Sequence, residues 1–395
     1  MTSAAPTFNM ADPEFSVQSD VVREARDRDW YATTNYGLAI LRYAEVNKLM
    51  KHPKLRQGSV AWPAHHGITT GPFADWWASW ILNKEGEDHR RLRRLLNPAF
   101  SPKLLASLAP RFNELANELI DDFADRGRVE FVSEFAEPYA ARVIAIMLGI
   151  DESEWKTIAS LSTTIGLAMG VTLREDLPRI EEALLGLYEY GDQLIADRKA
   201  NPRDDFMTRL VQAQRDDESL SELELRQTLA LLVFGGFDTT RNQLGLAIQT
   251  FMQHPDQWKL LAERPELGGA AVEEVMRVNP TVTWVTREAL EDFTFQDLEI
   301  KAGTTLHLFS ESAGTDPRAV EGGFDITAER PPHFGFGGGA HHCLGHFVAR
   351  SDMSLALPLL AQRMPNVAVG GPSEWLPLSG NTGPNILPLT FDIQE

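Results

Sequence analysis

Apolar residues recur with a period near 3.6 over much of this chain. Phe112, Leu115, Ala116, Leu119, Ile120 and Phe123 fall at helical spacing and make one buried face. Gly127 stops that helix. A second helix is predicted over residues 140–148, ended by Gly149. The clearest one starts at Ser221, where Ser221 and Glu224 have the spacing of a capping box. Its pattern runs to His254, and Pro255 ends it. At 1.5 Å per residue its length is on the order of 50 Å, enough to cross a whole domain. Period-2 alternation is rarer. It marks Phe293-Thr-Phe and residues 304–309, with a turn at Ala302-Gly303 between them. The expected fold is mainly α with a small β lobe late in the chain. There is no internal repeat and no Gly/Ser linker, so one domain over residues 1–395 is expected.

Composition narrows the partners. The 395 residues are 43% hydrophobic and 24% charged, an ordinary globular mixture. The net charge of −19 argues against nucleic acid, which selects a basic footprint. One cysteine cannot form an internal disulfide, which suits a reducing compartment. The first 15 residues carry Asp12 and Glu14 without an apolar stretch, unlike a signal peptide. No apolar run is long enough for a bilayer. A cytoplasmic protein is expected.

That cysteine lies in Phe336-Gly-Gly-Gly-Ala-His-His-Cys343-Leu-Gly345, just before a helical stretch over residues 344–360. Backbone N–H groups at a helix start favour a thiolate. The glycines let backbone approach a flat partner closely. Three readings stay open. Cys343 could be a buried structural residue. It could join His341 or His342 and His346 on zinc, although adjacent ligands are poorly spaced for a tetrahedron and the glycines would be idle. Or it could ligate haem iron.

The segment resembles the haem-binding signature of the cytochrome P-450 family. That signature is Phe, two residues, Gly, one residue, His or Arg, one residue, Cys, one residue, Gly or Ala. Phe336, Gly339, His341, Cys343 and Gly345 fill it. The resemblance runs from about Tyr36 to the end of the chain. It implies the haem-thiolate fold, haem b as cofactor and Cys343 as the iron ligand.

Other motifs follow in the family's order. Gly235-Gly-Phe-Asp-Thr-Thr240 interrupts the long helix with two glycines, an acid and two hydroxyls. Mid-helix glycines often only permit close packing. The resemblance instead implies a locally opened helix over the iron, with Gly235 beside it and Asp238 and Thr239 as the acid–alcohol pair that delivers protons. Glu274 and Arg277 form Glu-x-x-Arg, which by itself could be a solvated helix pair. The family buries this pair and adds a basic third member before Phe324. This chain has Gly323 there, so the third contact is missing or comes from elsewhere, such as Arg330. His89, Arg93, Arg287 and His341 match positions that bind the haem propionates, and Asn83-Lys-Glu-Gly-Glu-Asp88 replaces the usual acidic-Pro-Pro approach.

The same resemblance places Leu231, Phe234, Gly235, Val282, Thr283 and Ile386 around the substrate, with Ile386 in the final turn. Residues 62–80 form the lid, where Trp62, Phe73, Trp76, Trp77 and Trp80 either face the pocket or simply pack the lid. A mostly apolar lining fits a mid-sized hydrophobic molecule. The implied reaction inserts one oxygen atom from O2 into a C–H or C=C bond. Electrons are expected from a separate ferredoxin with its NAD(P)H-dependent reductase, since no flavin or iron–sulfur module is evident. A monomer is expected. A peroxide-driven peroxygenase and a non-catalytic haem binder are the alternatives. Arg90, Arg91, Arg93 and Arg94, with Arg350, form a basic patch that would steer an acidic ferredoxin, or else make ordinary surface ion pairs.

Overall fold

A computed structural model describes residues 5–393 apart from 13, 171, 213–219, 377 and 378; the side chains of residues 98 and 99 are also outside the description. The helix Pro102–Asp121 carries the first predicted face and starts earlier than its apolar pattern, because Ser101 caps Leu104 N at 3.4 Å. A short 3-10 turn then leads to Gly127, whose φ of 62° reverses the chain. Helix Glu137–Leu148 closes on Gly149 at φ 77°. The long helix Glu222–Gln253 has 32 residues, and both halves of the Ser221–Glu224 capping box are formed. Pro255 does more than stop it. As the first residue of helix Pro255–Glu263, it uses a position where a missing N–H costs nothing.

The long helix is buried around most of its circumference, as expected of a helix through a core rather than on a surface. Helices Glu137–Leu148, Trp155–Gly166 and Leu173–Ala200 pack on it. Helix His346–Arg363, which follows Cys343, packs on Pro102–Asp121 and Gly268–Val278.

The β structure departs from expectation. Phe293–Phe295 pairs with Leu298–Ile300 rather than with the later strand. Thr305–Phe309 instead enters a six-stranded sheet between Gly37–Ile40 and Trp284–Ala289. The β lobe is therefore not confined to the end of the chain. Its other strands, Thr7–Phe8, Tyr31–Thr34 and Leu55–Gln57, are two to four residues long. Strands that short show too few alternations to register as a period. Two smaller apolar clusters lie against this sheet, while the largest core lies among the helices. No helix among the described residues is long and apolar enough to cross a membrane.

Candidate functional site

The glycine loop owes its shape to its neighbours. Gly337 and Gly339 have φ of 65° and 72°, which side chains rarely adopt. A Cβ on Gly338 would lie 2.8 Å from Met50 Cγ. Cys343 N donates to Phe336 O at 2.9 Å, closing the loop. Beneath it the Arg350 guanidinium lies 4.3 Å from the Phe336 ring centre and donates to Glu273. Gly345 is the cap residue of helix His346–Arg363.

Cys343 is half-buried. Burial pushes its thiol above the ordinary range, although the Gly345 N–H, Arg93 and Arg350 pull it down. The backbone N–H at the helix start pulls in the expected direction, and burial opposes it. In this setting desolvation wins, and a bound cation is what would deprotonate the sulfur. Among the described residues, no three His, Cys, Asp or Glu side chains are placed to share a metal ion.

The structure brings the four basic candidates together. The His89 and His341 rings lie 4.2 Å apart. Arg93 donates to His342 O at 2.8 Å. Arg287 donates to Gln57 Oε1 at 2.6 Å and to Gly338 O at 3.2 Å. Burial lowers all four, His89 to about 4 and Arg287 to about 10. Two guanidinium groups and two imidazoles that can donate N–H thus share a desolvated corner, which suits carboxylates. Glu85 reaches the same corner, with Oε1 3.1 Å from His341 Nε2 and 2.8 Å from Gln57 N. It comes from the atypical approach to His89, where spacing gave no hint of it. An open concavity of about 590 Å3 lies alongside, lined by His89, Arg90, Arg93, Arg94, Asn97 and Ala340.

On the long helix the two glycines have different reasons. Gly235 is exposed although the helix around it is buried, and only Leu231 stands near the place of its missing Cβ. A Cβ on Gly236 would collide with Ile144, so the close-packing explanation accounts for it. The helix is unbroken here, contrary to the expected local opening. The Thr239 hydroxyl donates to Gly235 O at 3.0 Å, a bond made without breaking the turn. Asp238 is buried, with Asn381 Nδ2 donating to it at 3.1 Å. Burial pushes its carboxyl up, against the pull of Arg241, Asn381 and Asn242.

The pocket candidates divide. Phe234 is buried beside Trp76, with ring centres 6.5 Å apart, and Leu231 is half-buried. Val282 bridges to Asn381. The Thr283 hydroxyl is committed to Ser379 O at 2.7 Å. Ile386 needs correction. It sits in strand Pro384–Ile386 opposite Glu374 and is 37% exposed, while the turn that meets Val282 and Thr283 is at residues 379–382. In the lid, Phe73, Trp76, Trp77 and Trp80 are fully buried against one another, which is the packing role. Trp62 is half-buried and donates to Ala168 O at 2.9 Å. With Tyr36, Met169 and Trp284 it borders a cavity of about 80 Å3.

The Glu274–Arg277 pair is buried and bidentate, at 2.7 and 2.6 Å. Arg277 also donates to Gly314 O. Arg330 adds a contact to Glu274 at 3.2 Å and to Gly323 O at 2.6 Å. Arg91 and Arg350 are engaged with Glu224 and Glu273, whereas Arg90 and Arg94 are exposed.

Comparison with known proteins bears on the family. Residues 168–364 match the family model for Cytochrome P450. The chain is 36% identical to the luteothin monooxygenase of Streptomyces thioluteus, over 98% of this chain and 96% of that one. It is 30% identical to cytochrome P450 CYP107DY1 of Priestia megaterium, over 88% of each chain. The crystal structure of CalO2 superposes with a TM-score of 0.87 at 26% identity, covering 97% of this chain and all of that one. The chain belongs to the cytochrome P450 family and is a monooxygenase of that family's mainly helical fold.

Proposed function

We propose that the chain is one haem domain that binds haem b through Cys343 and inserts one oxygen atom from O2 into a mid-sized hydrophobic substrate, by hydroxylation or epoxidation. The observation that carries this is Cys343 itself: a desolvated thiol in a glycine cradle, with a backbone N–H and two arginines facing it. When bound, the haem supplies the oxygen chemistry, to which thiolate sulfur contributes by pushing electron density that favours O–O cleavage.

The protein's own residues do the rest. Arg93, Arg287, His89 and His341 would hold the haem propionates by charge-assisted and N–H hydrogen bonds. The Glu274–Arg277–Arg330 network fixes the segment that leads to the cysteine loop. Asp238 holds a proton on a carboxyl whose burial favours the neutral form, and the Thr239 hydroxyl orders that proton's path. Leu231, Phe234 and Val282 keep water from the apolar chamber. An acidic ferredoxin with its NAD(P)H-dependent reductase supplies electrons, docking at the concavity rimmed by Arg90 and Arg94. We place this activity in a cytoplasmic monomer, in keeping with a single cysteine.

The test is the spectrum of the reduced carbon monoxide complex. Wild type is expected to show the thiolate-type Soret band, and Cys343→Ser is expected to lose it. Retention of that band in Cys343→Ser would remove Cys343 as the ligand. Turnover with ferredoxin and reductase, compared with peroxide alone, separates the monooxygenase from a peroxygenase.

A further inference from the structure

Asp238 receives its hydrogen bond from a turn rather than from a cation. Asn381 Nδ2 donates to Asp238 Oδ2 at 3.1 Å. The turn that carries Asn381 is fastened to its surroundings at several points. Thr382 N donates to Thr281 O at 2.8 Å, and Thr281 N donates to Gln243 Oε1 on the long helix at 2.8 Å. Thr283 binds Ser379 O through its hydroxyl. Gly383 and Gly245 have no room for a Cβ, since Asn242 and Pro384 fill that space.

Arg241 acts on Asp238 through its charge, but its guanidinium is hydrogen-bonded elsewhere. Arg241, three residues on, donates to Asn242 Oδ1 at 2.8 Å and to Asn385 Oδ1 at 3.4 Å. Its Nε lies 3.6 Å from Glu137 Oε2 on helix Glu137–Leu148. Helix Trp155–Gly166 meets Asp238 with Gly166, where a Cβ would sit 3.3 Å from Oδ1 and no charge is offered.

We propose that Asn381 is a positioning residue for Asp238, holding its carboxyl against a turn whose neighbour Val282 belongs to the substrate pocket. This rests on Asp238 as the proton-holding acid of the proposed function. The isolated bridge between Val282 and Asn381 makes the pocket wall and the support of the acid one unit. A substrate that presses on this wall acts on the acid through the Asn381 amide.

An amide N–H favours the charged carboxylate, so its removal raises the proton affinity. The measurement is infrared difference spectroscopy of the holoenzyme, titrated from acid to neutral pH. The Asp238 carboxyl band is identified by its absence in Asp238→Asn. In Asn381→Ala its titration midpoint is expected to rise by about one to two pH units, the equivalent of a lost hydrogen bond to a charged group. Asn381→Asp keeps the size but replaces the donor with an acceptor, and is also expected to raise it. Asn381→Ser keeps a short donor and is expected to fall between Ala and wild type. A midpoint that stays put in any of the first two variants that folds and binds haem would overturn the proposal. The proton-holding reading fails separately, if Asp238→Asn leaves turnover unchanged.

Discussion

Arg330 Nη2 lies 3.2 Å from Glu274 Oε1, the same oxygen that accepts from Arg277 Nη2 at 2.6 Å. The guanidinium comes from 56 residues farther along the chain, beyond the Gly323 position where the family carries its basic group. It also donates to Gly323 O, so the side chain ties down the backbone it replaces.

The three groups are expected to weigh unequally on stability. Arg277→Ala leaves a buried carboxylate without its bidentate partner, which costs on the order of 3–5 kcal/mol. Arg330→Ala removes a longer contact to Glu274 and bonds to the backbone of Glu321 and Gly323, and costs about 1–2 kcal/mol. Denaturant midpoints of the two holoenzyme variants measure this order. A larger loss for Arg330→Ala would mean that its backbone contacts matter more than its charge.

Proton handling gives the second prediction. Thr239→Ala loses the hydroxyl bound to Gly235 O but leaves Asp238 and its partner in place. Electrons are expected to be consumed at a near-normal rate, with more hydrogen peroxide released per electron pair. Asp238→Asn is expected to slow turnover by about 10²-fold, the low end for a positioned acid or base, with less uncoupling. Product and peroxide per NAD(P)H are the quantities to compare. An unchanged product yield in Thr239→Ala would assign the proton path to another group.

The legibility of this site in the sequence followed the range of the interactions. The long helix could be read because its cap and its terminal proline are local signals. The cysteine loop could be read because its residues lie within ten positions. Arg330 was reachable only as a substitute for a residue missing at Gly323. Glu85 and Asn381 carried no signal, since each acts on a group more than a hundred residues away through an irregular loop. Ile386 was misplaced for a related reason. The chain turns at 379–382 and is already in a strand by Pro384, and no periodic pattern marks that boundary. Gly236 fits the close-packing reading of a mid-helix glycine, since the Ile144 side chain lies beside it.

Docking gives the third prediction. Arg90 and Arg94 are exposed beside the concavity, and the Arg90 pairing with Glu87 at 2.8 Å is a surface ion pair that solvent screens. Both side chains stand at the surface, where an acidic partner can reach them. Arg90→Glu with Arg94→Glu is expected to lower the bimolecular rate of ferredoxin-driven reduction by about tenfold or more at low salt, and to flatten its salt dependence. Substrate affinity and the haem spectrum are expected to stay as in wild type. Stopped-flow reduction at two ionic strengths decides it. Equal rates at low salt would place the ferredoxin elsewhere.

Glu311 gives the fourth, through pH. It lies on helix Ser310–Gly314, 6% exposed, with Oε2 lacking a hydrogen-bond partner among the described residues. Burial raises its carboxyl from 4.5 to about 7, although Arg26, Arg23, Thr315 and Arg277 pull it down. The folded protein therefore binds this proton more tightly than the unfolded chain does. The resulting stability is complete below pH 4.5 and is lost as pH rises through about 7. Its size is about 3 kcal/mol at most. In Glu311→Gln no proton is taken up or lost, so this part of the pH dependence disappears. Thermal midpoints of wild type and Glu311→Gln holoenzyme, taken on the acid and the alkaline side of that window, isolate the effect from other titrating groups. Wild type is expected to lose more stability across the window than the variant. Parallel pH profiles would show that the folded protein and the unfolded chain bind this proton equally, with Arg26 and Arg23 offsetting burial.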